Sequence, residues 1–185
     1  MPKVGIIVGS TRPGRNGEAV ARWVHELATK RGDAEYRLLD LRDFDLRHLD
    51  EQTPAAAGVY QHEHTKRWSA AIAPLDAFVF VTPEYNHSIP GALKDAIDFL
   101  FNEWANKAAG FVSYGVDGGV RSVGHLRDIL STVQVATVQA YVALSVATDF
   151  ENFTDFRPAP QHEERLNLMF DQLLAWGSAL RPLRG

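Results

Sequence analysis

Two segments of the chain combine residue types that bind anions and flat rings. Residues 9–17 read Gly-Ser-Thr-Arg-Pro-Gly-Arg-Asn-Gly and precede a predicted helix. The hydroxyls of Ser10 and Thr11, the guanidinium groups of Arg12 and Arg15, and the amides at a helix N-terminus are suited to a phosphate monoester. The alternative is a connecting loop with solvated arginines.

The second segment, residues 83–91, reads Pro-Glu-Tyr-Asn-His-Ser-Ile-Pro-Gly. Prolines stiffen both ends, and the residues between them offer backbone amides and the flat ring of Tyr85, which could grip a planar heterocycle. The alternative is a structural turn whose tyrosine only packs. A third segment, residues 114–119, is rich in glycine, so a ligand could approach its backbone closely.

Two other phosphate-binding motifs fit poorly. Gly9 and Gly14 have the spacing of a nucleoside-triphosphate loop, but Arg15 and Asn16 replace its lysine and metal-binding hydroxyl. The Gly-x-Gly-x-x-Gly fingerprint of dinucleotide sites is absent. Asp40 stands about where a ribose-binding acid would, but alone it is predicted to be a helix-loop or surface acid.

Five strands are predicted to alternate with five helices, because apolar β-branched runs alternate with segments of helical periodicity. The predicted strands are Val4–Val8, Tyr36–Leu39, Ala77–Thr82, Gly110–Tyr114 and Tyr141–Ala147. The predicted helices run over 17–31, 63–73, 91–104, 120–135 and 163–180, with a long surface excursion over 41–60 and an irregular loop over 149–161.

Such alternation predicts an α/β fold with one doubly wound parallel sheet, strand order 2-1-3-4-5, and helices on both faces. Ligands of such sheets bind beyond the carboxyl ends of strands one and three, where the winding direction reverses. The two segments described first leave those two strands. We therefore expect them to meet in one site.

Composition sets outer limits on function. With 185 residues, one domain over residues 1–185 is expected. A net charge of −4 gives no general attraction to nucleic acid or to a membrane surface. The absence of cysteine excludes disulfides and thiolate metal sites. The first apolar run is short and unlike a secretory leader. These two features favour a cytoplasmic setting. His62, Glu63 and His64 lack a metal-site pattern and are interpreted as surface, so no metal is predicted.

The residues resemble the NADPH-dependent FMN reductases of flavodoxin-like fold, which include quinone, azo-dye and chromate reductases. The resemblance spans almost the whole chain. Its most specific part is Pro83-Glu84-Tyr85-Asn86 with Ser88, Pro90-Gly91, Leu93-Lys94 and Ala96-Ile97-Asp98. One departure is Arg15, which stands where many members carry a second serine.

The resemblance implies a flavodoxin-like three-layer sandwich that binds FMN without a covalent bond. The implied phosphate-binding residues are Ser10, Arg12, Arg15, Asn16 and Gly17. Those implied beside the isoalloxazine ring are Pro83, Glu84, Tyr85, Asn86 and His87, and those by its pyrimidine side are Ser113, Tyr114, Gly115, Gly118 and Gly119. The amides of Gly118 and Gly119 are candidates to stabilise negative charge on the reduced flavin.

The flavin itself would carry out hydride transfer, so no catalytic side chain is predicted. NADPH or NADH would donate the hydride and leave, and a small acceptor such as a quinone, free flavin, azo compound or metal oxyanion would follow in ping-pong order. The family also implies a homodimer or dimer of dimers. Phe99, Phe101 and Trp104 are candidates for that interface, with core packing as the alternative.

Two other function classes remain open at this point. One is a non-catalytic flavodoxin-type FMN electron carrier, although such carriers are usually far more acidic. The other is a serine hydrolase, because Ser113, Asp149 and His162 occur in triad order. Phe111, however, occupies a position where the nucleophile elbow requires glycine.

Overall fold

A parallel β-sheet organises the fold in the computed structural model, which describes residues 1–184. The sheet strands are β1 (Lys3–Val8), β2 (Glu35–Asp40), β3 (Ala77–Pro83), β4 (Lys107–Gly115), β5 (Val135–Thr137) and β6 (Val142–Ser145). The helices are α1 (Gly17–Arg31), α2 (Glu63–Ile72), α3 (Gly91–Asp98), α4 (Val120–Thr132) and α5 (Gln161–Leu180). A small hairpin pairs β7 (Phe150–Glu151) with β8 (Asp155–Phe156).

The strand order is β2-β1-β3-β4, and both β5 and β6 then pair with β4, all in parallel. This confirms the predicted α/β fold and order, with one difference. The fifth position holds two short strands, and only the second was predicted. Residues 133–135 were placed in a helix, but α4 ends at Thr132 and Gln134 takes a left-handed φ of 60° before β5 begins.

Helices cover both faces of the sheet, as a three-layer sandwich requires. Along β1, Ile6 belongs to the apolar cluster under α1 and α5, and its neighbour Ile7 belongs to the cluster under α2, α3 and α4. Successive strand residues point to opposite faces. The continuous apolar run of β1 therefore supplies both cores.

Helix α3 is shorter than the predicted 91–104, because two indole groups take its last carbonyls. The indole nitrogen of Trp68 donates to Ala96 O at 2.7 Å, and that of Trp104 donates to Ile97 O at 3.1 Å. In a continuing α-helix Ala96 O would accept from Leu100 N and Ile97 O from Phe101 N, whereas here Leu100 N donates to Ile97 O at 3.3 Å. Trp68 lies 28 residues away in sequence, so periodicity could not indicate this ending.

Two of the three residues considered for a dimer interface lie inside the chain's own core. Phe99 and Trp104 are both 0% exposed, and Trp104 packs edge-on against Phe78 with ring centroids 4.9 Å apart. Phe101 is partly buried against the same cluster. Core packing, the alternative interpretation, therefore accounts for Phe99 and Trp104.

The predicted irregular loop over 149–161 contains the β7–β8 hairpin. Its turn is made by Asn152 and Phe153, which have φ values of 51° and 61°. Neither β-branched run nor glycine marks this hairpin in the sequence. Across residues 1–184, no helix has the length and apolar character needed to cross a membrane.

Candidate active site

The segments that follow β1 and β3 meet at the carboxyl edge of the sheet, as expected. The hydroxyl groups of Ser10 and Tyr85 lie 2.9 Å apart and share a hydrogen bond. β1 and β3 are neighbouring parallel strands, with Val8 opposite Val81, so both segments leave the same edge. The sheet topology thus joins two segments that are 75 residues apart in sequence.

A cleft of about 180 Å³ opens between these segments and the end of β4. A neighbouring cavity of about 290 Å³ adjoins it and shares Glu84 and Val116 with it. The cleft is lined by Arg12, Arg15, Asn16, Pro83, Glu84, Tyr85, Tyr114, Gly115, Val116 and Val146. The neighbouring cavity is lined by Glu84, Asn86, His87, Val116, Asp117 and Arg121.

The remaining predicted site residues line neither space and are buried next to residues that do. Ser10 is 1% exposed, and Gly17 packs so closely that a Cβ there would come within 2.5 Å of the Tyr114 hydroxyl. Ser113 is fully buried and donates its hydroxyl to Gly118 O at 2.7 Å. Gly118 and Gly119 are also buried. These residues support the side chains and backbone that line the cleft.

The two guanidinium groups of the first loop differ in how their charge is used. The Arg15 side chain is 2% exposed and is ion-paired with Asp40, and it also donates to Ser10 O at 2.6 Å. Arg12 is exposed and lies 6.0 Å from the Tyr85 ring centroid. Asp40, predicted to be a helix-loop or surface acid, caps the short helical turn after β2 and also organises the first loop.

Tyr85 to Ser88 form a tight turn that holds the second loop. Asn86 and His87 have φ values of 49° and 66°, and the backbones of Tyr85 and Ser88 exchange hydrogen bonds of 2.9 and 3.0 Å. This is the pattern of a type I′ turn, whose positive φ values are uncommon for residues other than glycine, although asparagine and histidine adopt them more often than most. A non-glycine residue held in this conformation is often found at functional sites.

Helix α4 anchors that loop through side chains that the sequence analysis did not select. The Ser122 hydroxyl lies 2.9 Å from Pro83 O and 2.8 Å from Ser88 O and shares its one proton between these two acceptors. Arg121 pairs with Glu84 at 2.9 Å, and its backbone N–H donates to the same carboxylate at 3.1 Å. The Glu84 side chain is thus committed to α4. The only sequence signal for these contacts is that α4 begins at the same edge of the sheet.

Val146 and Phe153 also approach the site from the chain after β6. Val146 lines the cleft, and Phe153 O accepts a hydrogen bond of 2.9 Å from the Asn16 side chain. Nothing local in the sequence marks either residue.

Two buried polar atoms at the cleft, Arg15 Nε and Tyr114 Oη, have no hydrogen-bond partner within residues 1–184. Burial raises the pKa of Tyr114, so the hydroxyl keeps its proton. The cleft thus offers two unpaired polar atoms, the exposed guanidinium of Arg12 and the flat ring of Tyr85. These groups suit a ligand with a phosphate and a planar ring system. The residues present therefore fit FMN.

The geometry does not form a serine hydrolase site. His162 lies 2.9 Å from Asp149, but the Ser113 hydroxyl donates to a backbone carbonyl, not to the histidine. A nucleophilic serine needs its hydroxyl within reach of the base. Within residues 1–184 no group of three or more metal-binding side chains is assembled.

Known proteins with similar sequences show the family to which the chain belongs. The model of the NADPH-dependent FMN reductase family matches residues 2–149. An NAD(P)H-dependent FMN reductase of a Nectria species is 39% identical over 158 residues, which covers 80% of this chain and 79% of that protein. A quinone reductase of Pseudomonas putida is 32% identical over 143 residues, covering 74% of this chain and 73% of that protein.

Among solved structures, the flavoenzyme NAD(P)H:(acceptor) oxidoreductase FerB of Paracoccus denitrificans has a TM-score of 0.75. It is 24% identical, and the match covers 97% of this chain and 98% of FerB. This likeness confirms the flavodoxin-like fold. Since the family match includes both loops and the whole sheet, the chain belongs to the NADPH-dependent FMN reductase family and is an oxidoreductase that uses FMN and NAD(P)H.

Proposed function

We propose that the cleft between the first and second loops holds FMN without a covalent bond, with the phosphate at residues 10–17 and the ring system beside Tyr85 and residues 113–119. The observation that carries this proposal is the Ser10–Tyr85 hydrogen bond of 2.9 Å. It joins the segment suited to an anion with the segment suited to a flat ring.

Arg12 is the proposed cation for the phosphate. It forms no ion pair with an acidic side chain within residues 1–184, so its charge is available to a ligand. Helix α1 begins at Gly17, directly after the loop, and directs its positive end toward the same place. Arg15 contributes less charge, because Asp40 neutralises it.

Tyr85 and the end of β4 are the proposed contacts of the ring system. Tyr85 offers an aromatic face, and Gly115 brings backbone close to the cleft without a side chain. Val116 and Val146 add apolar surface. The amides of Gly118 and Gly119 are the proposed donors to the reduced flavin. Gly118 N already donates to Gly115 O at 3.2 Å, so we propose Gly119 N as the main donor.

When bound, FMN supplies the hydride exchange, while the protein supplies position and electrostatics. We propose that NAD(P)H and the acceptor use the cleft in turn, which gives ping-pong kinetics. The proposed acceptor is a small molecule, namely a quinone, free flavin, azo compound or metal oxyanion. The named activity of the Pseudomonas relative favours a quinone.

A homodimer or dimer of dimers remains part of the proposal, as does the cytoplasmic setting. The alternative function, a non-catalytic FMN electron carrier, is disfavoured by relatives that are named as reductases. Steady oxidation of NADPH with a quinone, in the absence of any protein partner, separates the two functions. A carrier would give no such turnover.

The direct test is Arg12→Ala, with FMN and riboflavin binding measured by quenching of flavin fluorescence. We expect FMN affinity to fall about 10- to 100-fold, because a charge-assisted bond to phosphate is lost. Riboflavin, which lacks the phosphate, should change by less than about threefold. Arg22→Ala is the matched control, since Arg22 is exposed on α1 and pairs only with Glu18. Equal losses of both flavins would show that the phosphate lies elsewhere.

A further inference from the structure

Arg42, which follows β2, contacts the first loop through two backbone carbonyls. Its Nε donates to Thr11 O at 3.2 Å and its Nη2 donates to Arg12 O at 2.8 Å. Both acceptors lie about 30 residues earlier in the chain. Arg42 has no carboxylate partner within residues 1–184, and its side chain donates hydrogen bonds to these two carbonyls.

Asp40 connects Arg42 with Arg15. One carboxylate oxygen of Asp40 accepts from Arg42 N at 3.0 Å, and the other is paired with the Arg15 guanidinium. Arg15 in turn donates to Ser10 O at 2.6 Å. Three consecutive carbonyls are therefore held by guanidinium groups: that of Ser10 by Arg15, within the loop, and those of Thr11 and Arg12 by Arg42, which follows β2.

This arrangement determines where the loop amides point. In a trans peptide the carbonyl and the following N–H point in opposite directions. The N–H group of Arg12, which shares a peptide with the Thr11 carbonyl, must then point away from Arg42. The peptide after the Arg12 carbonyl belongs to Pro13 and has no N–H. Arg12 N donates a hydrogen bond of 3.3 Å to Ser10 Oγ, and that hydroxyl is also bonded to Tyr85 in the cleft wall. The side away from β2 is thus the cleft side.

We infer that Arg42 is a positioning residue that preorganises the first loop for a phosphate, by holding the carbonyls of Thr11 and Arg12 away from the cleft. The inference rests on the proposed function, since it concerns how the same site recognises its anion. Carbonyl oxygens that are already held away from the anion site do not repel the anion and need no reorientation when it binds.

The experiment compares Arg42→Ala and Arg42→Lys with the unmodified protein and with Arg37→Ala. Arg37 is exposed in the middle of β2 and bonds only to Glu35, so it serves as the matched control. FMN and riboflavin affinities and the thermal unfolding midpoint are measured for all four proteins. Amide ¹H–¹⁵N spectra are recorded without flavin.

For Arg42→Ala we expect a loss of FMN affinity of about tenfold. Riboflavin affinity and the unfolding midpoint should stay close to those of the control. The Thr11 and Arg12 amide signals should shift in the flavin-free protein, which a direct phosphate contact alone would not cause. Arg42→Lys keeps the charge but lacks the planar fork that spans two carbonyls, so most of the loss should persist.

Full FMN affinity in Arg42→Lys would overturn the inference, because charge would then suffice. Unchanged FMN affinity in Arg42→Ala, or equal losses of FMN and riboflavin, would also overturn it. Failure of the proposed function has a separate signature. In that case the unmodified protein would show no preference for FMN over riboflavin, whatever the variants do.

Discussion

At the scale of single residues, neighbouring groups of the same chemical type have different roles. Arg12 and Arg15 lie in one loop, yet Arg15 is buried in an ion pair with Asp40 while Arg12 is exposed beside Tyr85. A buried guanidinium needs a partner to offset its desolvation, whereas an exposed one does not. Only Arg12 therefore brings an uncompensated charge to the cleft.

Tyr114 gives a prediction about an unpaired hydroxyl. The Oη atom is buried without a hydrogen-bond partner within residues 1–184, and an unsatisfied buried group costs about 1–3 kcal/mol. We expect Tyr114→Phe to leave the free energy of unfolding of the flavin-free protein unchanged or to raise it by about 1 kcal/mol. Urea denaturation measures this.

Tyr36→Phe is the control, because the Tyr36 hydroxyl donates to Asp33 at 2.6 Å. It should lower the free energy of unfolding by about 1 kcal/mol. A larger loss in Tyr114→Phe than in Tyr36→Phe would mean that the Tyr114 hydroxyl is well bonded in the folded protein.

At the scale of elements, the site is built from loops that their neighbours hold in place. The Tyr85–Ser88 turn is tied to α4 by Ser122, and the turn before α4 contains Gly118 and Gly119 with φ values of 73° and 72°. Such conformations favour glycine because L side chains clash there. The end of β4 and the start of α4 thus meet in very little space.

Gly119→Ala should be strongly destabilising for two reasons. The new Cβ would lie 2.9 Å from Tyr114 N and Tyr114 O, which are backbone atoms that cannot move easily. The positive φ adds a conformational cost. We expect the free energy of unfolding to fall by about 2–4 kcal/mol, measured by urea denaturation.

Gly32→Ala separates these two causes. Gly32 ends α1 with a φ of 67°, and a Cβ there would meet nothing within 4 Å. The loss should be about 1 kcal/mol, from backbone conformation alone. Equal effects of the two substitutions would refute the crowding argument.

At the scale of the whole molecule, the two edges of the sheet differ in chemistry. The carboxyl edge carries the cleft, while the amino edge carries a cavity of about 530 Å³ whose charged groups are bound within the chain. There Lys107 donates to Ile72 O at 3.0 Å and Ala73 O at 2.9 Å, and Arg184 pairs with Asp76 at 2.8 Å. The larger space is therefore a structural junction at the end of α2.

Burial lowers the pKa of Lys107 to about 8, from an ordinary value of 10.5. Between these values the unfolded chain holds more protons than the folded one, so the contribution of Lys107 to stability rises with pH across this window. The free energy of unfolding of the unmodified protein, relative to Lys107→Met, should rise by about 1–2 kcal/mol between pH 7 and pH 9.5.

Urea denaturation at the two pH values measures this difference. The other titrating groups are common to both proteins, so their contributions cancel. A difference that does not change with pH would show that the two carbonyls keep the lysine protonated in the folded state.

Local sequence patterns determined much of the architecture. Apolar runs predicted β1, β3 and β4, and a less clear repeat of the pattern predicted β2. The residue types of the first two loops predicted both candidate segments and their meeting at one sheet edge. These features depend on neighbours along the chain and on the fixed handedness of strand crossovers. One domain over residues 1–185 stays a prediction, as do the individual cofactor contacts.

Tertiary structure alone decided which side chains face the cleft. The partner of Arg15 is Asp40, the carbonyls of the first loop are held by Arg42, and α3 ends where Trp68 reaches Ala96 O. Each of these contacts joins residues at least 25 positions apart in sequence. A hydrogen bond between distant residues leaves no periodic trace in the sequence, because it depends on how the elements pack and not on local conformational preference.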